Sequence, residues 1–340
     1  MSGPIRVLVV DDSAFARKVV REVLSADARI EVVGIARDGL EALEKVGELQ
    51  PDVVTLDLVM PHLDGLGVLR ALKQENVPRV VVVSFGDAQS EIGLEALRLG
   101  AVALVHKPTN LAVDRLYDLR AELVQAVLEA AVGRPPGRAE VAAPLAPLTS
   151  PGGARCQLVV VGASTGGPQA LTRLLTALPG NLPVPVAVVL HIPIGFTEPF
   201  ARRLDQDCAL EVREAEEGLA LSPGRIVIAR AGVHLTVRNP GLRAHLDVKP
   251  LEPSHRPSVD VLFRSAAETL GGQVLGVVLT GMGDDGLAGS RAIVDAGGAV
   301  LAEAESSCVV YGMPRAVAEA GLAKEQVRIG EMAAAVVRNL

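Results

Sequence analysis

Residues 6–17 read RVLVVDDSAFAR. A short unbroken apolar run that stops at two adjacent acids and turns at once into an amphipathic stretch reads as a buried parallel strand feeding a crossover helix. The unit repeats. Apolar runs at 30–36, 53–57, 79–84 and 103–106 alternate with amphipathic stretches that begin near Ser13, Gly39, Gly65, Ala88 and Val113. Five strand–helix pairs predict an α/β domain over residues 1–130, a doubly wound five-stranded parallel sheet with helices on both faces.

Beyond it, GRPPGRAEVAAPLAPLTSPGGAR closes at residue 155 with neither periodicity nor a face to bury, so 131–155 reads as a Pro/Ala/Gly-rich linker. A second α/β domain is expected over 156–340. It opens with a strand at 157–161, a glycine turn and a helix at 168–178, then a strand at 186–191 and a helix from about 196. Residues 211–247 read as short strands with turns at Pro223-Gly224 and Asn239-Pro240-Gly241, an antiparallel insert. Parallel-type units resume with a helix at 258–270, a strand at 274–280, a helix at 287–296 and a strand at 299–303. The sheet is therefore expected to be mostly parallel.

Composition narrows the function classes. The 340 residues are 49% hydrophobic with a net charge of -7, enough apolar material for two cores and no global positive field to attract nucleic acid or an anionic membrane. The apolar stretch near the start is cut short by Asp11 and Asp12 before it could form a signal-peptide core, and no later run is long enough to insert in a bilayer. A cytoplasmic location is expected. Cys156, Cys208 and Cys308 are odd in number, widely spaced and without metal-ligand spacing, so they read as structural.

The first cluster of chemistry is acidic. Asp11 and Asp12 follow the first strand and Asp57 ends the third, at the sheet edge where open α/β folds bind ligands. Carboxylates crowded there repel one another unless a hard cation joins them, and an oxygen-lined site with open positions suits Mg²⁺ and a phosphoryl group. Ser84 and Lys107 reach the same rim from the fourth and fifth strands and supply a hydroxyl and an ammonium for phosphoryl oxygens.

The second cluster is a nucleophile set. VVVGASTGG at 159–167 places Ser164 between glycines at a strand-to-helix turn, the pattern of a nucleophile elbow. The same run also resembles a dinucleotide loop, but that reading needs a carboxylate after the next strand, and there the sequence has Leu190-His191-Ile192-Pro193. His191 instead shares Ser164's sheet edge if the two strands are adjacent and parallel. TGMGDDG at 280–286 brings two carboxylates, Asp284 and Asp285, to that edge. An acid, a base and a nucleophile converge, in the order Ser, His, Asp rather than the usual α/β-hydrolase order.

VVDDSAFAR, TLDLVMPHLDGL, VVVVS and Lys107-Pro108 make residues 5 to 130 resemble the response-regulator receivers. The resemblance implies phosphorylation of Asp57 by a histidine kinase, Mg²⁺ held by Asp11, Asp12, Asp57 and the backbone of Val59, a switch hydroxyl at Ser84 and a phosphate contact at Lys107. Leu104 stands where receivers often carry a switching aromatic, and Val59 where close relatives often carry Glu. GASTGG, LHIPIGFTEPFARRL, SHRPSVDVLFRS, LTGMGDDGLAG and SCVVYGMPR extend the resemblance over nearly the whole chain, to the chemotaxis protein-glutamate methylesterases, the CheB family.

That family implies a triad of Ser164, His191 and Asp285, and a receiver that covers the Ser164 edge until Asp57 is phosphorylated. It implies hydrolysis of glutamate methyl esters on methyl-accepting chemotaxis receptors, deamidation of receptor glutamines, a CheA-type kinase as phosphodonor and no cofactor for the hydrolysis itself. The Met282 amide and Thr165 are oxyanion candidates. His255 and Arg256 precede a helix and read either as substrate contacts or as capping and structural residues. Leu190, Ile192 and Ala229-Arg230-Ala231 depart from common family residues around the substrate groove. A binding module that hydrolyses nothing is the rival reading, opposed by the presence of all three triad residue types.

Overall fold

The computed structural model describes residues 3–72, 78–85, 90–107, 113–133, 156–249 and 255–340. The chain forms two compact units, Met1–Pro135 and Pro136–Leu340. Most of the proposed linker, and the start of the helix expected near Ala88, lie outside the described residues.

In the first unit β1 (Ile5–Val10), β2 (Ile30–Ala36), β3 (Val53–Leu56), β4 (Arg79–Phe85) and β5 (Ala103–Lys107) form a parallel sheet of order β2-β1-β3-β4-β5. The run Val7–Val10 is buried, as a strand covered on both faces demands. The helices are α1 (Ala14–Ser25), α2 (Gly39–Leu49), α3 (Gly65–Ala71), α4 (Ser90–Arg98) and α5 (Val113–Val132). Ser13, Asp38 and Asp64 cap the first three, each side chain accepting a hydrogen bond from a first-turn amide. The Arg79 guanidinium donates to Gly133 O at 2.7 and 3.0 Å, fixing the end of α5 to the start of β4.

The second unit contains seven described strands that pair parallel throughout: β6 (Leu158–Ala163), β7 (Val186–Leu190), β8 (Glu211–Glu214), β9 (Arg225–Ile228), β12 (Val274–Val278), β13 (Ala299–Glu303) and β14 (Glu325–Val327), in the order β14-β13-β12-β6-β7-β9-β8. The helices are α6 (Gly167–Thr176), α7 (Thr197–Asp207), α8 (Val259–Leu270), α9 (Leu287–Asp295), α10 (Met313–Glu319) and α11 (Ile329–Arg338).

The antiparallel insert is smaller than the sequence suggests. Among the described strands β10 (His234–Arg238) and β11 (Arg243–Asp247) alone pair antiparallel, with a single further antiparallel bridge from Ala220 to Arg243. The first half of the stretch 211–247 does not belong to it: β8 and β9 run parallel, joined by the connection at 215–224, and extend the main sheet from β7. The turn at Pro223-Gly224 resembles a hairpin turn in sequence, yet the strands on either side of the connection pair parallel. No helix among the described residues is long and apolar enough to cross a membrane.

Candidate active site and candidate phosphoryl-acceptor site

Strand register builds the candidate catalytic edge. β6 lies between β12 and β7, with Ala163 opposite Leu190 and Gly162 opposite Val278. The ladder continues one step past the strands, where His191 N donates to Ala163 O at 3.0 Å and Ser164 N to Thr280 O at 3.0 Å. Ser164, His191 and the 280–286 turn thus leave three adjacent strands at the same level, with neighbouring backbones about 4.8 Å apart.

Two glycines permit the close approach. Gly166 has φ +76°, and a Cβ there would lie 2.5 Å from Val309 Cβ. A Cβ on Gly281 would lie 2.8 Å from Ser164 Cβ and 2.3 Å from Met313 Sδ, so the 280–286 turn presses directly on the serine.

The carboxylate that meets His191 is Asp285, whose Oδ2 lies 2.9 Å from Nε2. Asp284 is exposed, and its carbonyl accepts Leu287 N. Asp285 also accepts Ser258 Oγ, Val259 N and Asp260 N at 2.9, 2.8 and 2.9 Å, the last two from the first turn of α8. Burial works to raise its carboxyl, but His191 and these amides outweigh burial and hold it at about 2. An ionised Asp285 can only accept, so it suits a proton on His191 Nε2. Ser164 Oγ makes no hydrogen bond to His191 in this structure; the two are aligned by strand register. His255 stacks on His191 with ring centroids 4.6 Å apart and planes 16° apart. Arg256 is exposed beside it.

The Met282 amide makes no backbone hydrogen bond among the described residues and follows the glycine packed against Ser164, so it is a donor available beside that serine. Thr165 is buried, and its carbonyl accepts from Thr280 Oγ1 at 2.9 Å. Sequence reading misses Ser258 and Asp260. Ser258 caps α8 and reaches Asp285, while the Asp260 carboxylate accepts Gly286 N and Gly289 N at 2.9 and 2.6 Å, locking the turn and helix together. Ser-x-Asp at a helix start signals a cap, but nothing local indicates its target.

The receiver edge places Asp11 and Asp57, both buried, beside exposed Asp12, with carboxylate oxygens within 4.8 Å of one another. Lys107 Nζ lies 2.5 Å from Asp11 Oδ2 and 2.8 Å from Asp57 Oδ2. Asp57 Oδ1 accepts Leu58 N at 2.7 Å. Burial pushes the Asp57 carboxyl up and Asp11 adds to this, against the pull of Lys107. Ser84 is buried, and β4–β5 pairing sets it opposite His106, one residue before Lys107. Val59 is exposed, and Leu104 is buried. Three carboxylates against one ammonium fit a divalent cation.

A receiver sheet with an acidic pocket, followed by a parallel sheet carrying a serine–histidine–aspartate edge, defines a response regulator with a hydrolase-type second unit. The sequence profile of the response regulator receiver domain matches residues 7–117, and that of the CheB methylesterase matches 159–336. The protein-glutamate methylesterase/protein-glutamine glutaminase 5 of Myxococcus xanthus (strain DK1622) is 61% identical over 346 residues, 99% of each chain. A protein of Symbiobacterium thermophilum named protein-glutamate methylesterase/protein-glutamine glutaminase is 45% identical over 351 residues, 98% of this chain and 97% of its own. The crystal structure of the Thermotoga maritima CheB methylesterase catalytic domain superposes with a TM-score of 0.53 at 37% identity, over 54% of this chain and 99% of that one. The chain belongs to the CheB protein-glutamate methylesterase family.

Proposed function

We propose that this protein is a phosphorylation-regulated serine hydrolase acting in the cytoplasm on methyl-accepting chemotaxis receptors, where it converts glutamyl γ-methyl esters to glutamate with release of methanol. The observation that carries the reading is the alignment of Ser164, His191 and Asp285 at one sheet edge, with Asp285 bonded to His191 Nε2. Ser164 Oγ attacks the ester carbonyl while His191 Nδ1 takes its proton, and Asp285 stabilises the imidazolium. The carbonyl oxygen draws on the Met282 amide, with Thr165 flanking. Methanol leaves with the proton from His191. Water then adds to the acyl-Ser164 carbonyl, again giving its proton to His191, and the carboxylate departs as Ser164 is restored. A receptor glutamine follows the same route with ammonia as leaving group. His255 and Arg256 border the substrate entrance, and the hydrolysis needs no cofactor.

In the receiver, Asp11, Asp12, Asp57 and the Val59 carbonyl would hold Mg²⁺, which supplies charge neutralisation for a phosphoryl group. Asp57 accepts that group from a CheA-type histidine kinase, Lys107 holds its oxygens and Ser84 reports its arrival. Phosphorylation then relieves occlusion of the Ser164 edge.

Methanol release from methylated receptor fragments tests the mechanism. Ser164→Ala is expected to lower kcat by at least about 10³-fold. Retained release would overturn the serine mechanism.

A further inference from the structure

Glu303 is a carboxylic acid sealed in the second unit, 1% exposed, at the C-terminal end of β13. Its position follows from a divergence. β12 and β13 pair only as far as Val278 opposite Ala302, while on the other side of β13 the ladder with β14 runs on through Ala304 N to Val327 O. The Thr280 amide loses its ladder partner there, and Glu303 Oε2 accepts it at 2.9 Å. Oε1 accepts Ser307 Oγ at 2.9 Å, and Ser307 Oγ in turn accepts Ile329 N at 3.0 Å, so the carboxyl is held from both sides.

Thr280 joins the elements of the catalytic edge. Its carbonyl accepts Ser164 N at 3.0 Å. Its hydroxyl donates to Thr165 O at 2.9 Å, with Val310 O a longer alternative at 3.2 Å, and accepts Val310 N at 2.9 Å. The next residue, Gly281, touches Ser164, and the one after presents the Met282 amide.

We infer that Glu303 is a positioning residue for ester hydrolysis: by holding the Thr280 amide it fixes the nucleophile and the oxyanion turn in one register. The inference rests on the serine reading above. What the site needs from Glu303 is an acceptor oxygen at one place, which a glutamine amide of the same length also offers. Burial pushes this carboxyl up, against Thr280, Ser307 and Arg173, which is consistent with a neutral amide serving there.

The test measures kcat and KM for methanol release from methylated receptor fragments by full-length Glu303→Gln, Glu303→Ala and Glu303→Asp, with thermal denaturation alongside. Glu303→Gln is expected within about threefold of the native kcat, and Glu303→Ala lower by on the order of 10- to 100-fold with KM within about twofold, the scale of a small misplacement of reacting groups. Glu303→Asp keeps the carboxyl but draws it back by one methylene, so it is expected to lose kcat like the alanine variant, and it decides the matter if Glu303→Ala does not fold. A folded Glu303→Ala or Glu303→Asp with native kcat, a loss confined to KM, or a Glu303→Gln as impaired as Glu303→Ala, including one that fails to fold, would each overturn the inference. Failure of the serine reading itself shows separately, as methanol release by Ser164→Ala.

Discussion

Asp57 and Asp285 occupy corresponding places, each just beyond a central parallel strand or in the turn that follows one, and each is shielded from water. Their electrostatics are opposite. Asp57 shares Lys107 with Asp11 and feels Asp11's charge, so burial prevails and its carboxyl is pushed up. Asp285 takes hydrogen bonds from His191, Ser258 and two amides at the start of α8, and it is held at about 2. Burial alone therefore does not set the charge state of an acid at this edge; the number of donors aimed at it does. The difference suits the proposed roles. An acid that steadies an imidazolium must stay ionised throughout turnover, whereas one that accepts a phosphoryl group leaves capacity for an external cation.

The sharpest way to break the contrast is to remove the charge at the saturated site. Asp285→Asn keeps the size of the side chain but offers an amide where His191 Nε2–H needs a carboxylate, favouring the wrong tautomer. The expected fall in kcat for methanol release is on the order of 10³- to 10⁴-fold. Asp284→Asn, one residue away and exposed, is expected to change kcat by less than about twofold. Equal losses in the two variants would erase the distinction between them.

Asp57→Asn probes the other edge. Incorporation of phosphate from a small phosphodonor with Mg²⁺ is expected to disappear, and with it the phosphodonor's stimulation of methanol release, of order 5- to 150-fold for a coupling of ordinary strength. Stimulation that survives in this variant would separate the acidic pocket from control of the hydrolase.

Much of this was legible in the sequence because strand ends and chemistry coincide. Asp11, Asp57, Ser164 and His191 each follow an unbroken apolar run, so locating the strands also placed the residues on an edge. The strand order did not follow from the runs. β8 and β9 are four residues each and carry a turn signal between them, which reads as a hairpin; their parallel pairing is set by tertiary contact with β7. Three-residue β14 is too short for any periodicity. Ser258 and Glu303 were illegible for a different reason. One looks like a helix cap and the other like a polar residue at a strand end, and only folding brings Ser258 to Asp285 and Glu303 to Thr280.

The smallest expected effect is a matter of stability and shows why the carboxylate at the hydrolase edge differs from a merely buried acid. Asp285 has an ordinary value of 3.8 and a folded value of about 2. Because the folded value is the lower one, ionised Asp285 favours the folded state above about pH 4, and that contribution is lost as pH falls through 2. The displacement of nearly two units corresponds to roughly 2 kcal/mol. Thermal denaturation of the full chain between pH 5 and pH 2 should therefore show a steeper fall in Tm for the native protein than for Asp285→Asn, whose amide does not titrate. The gap between the two should be widest at pH 5 and close as the carboxylate is protonated. Parallel curves would mean that the donors around Asp285 do not lower its pKa on folding, and the contrast with Asp57 would then rest on geometry alone.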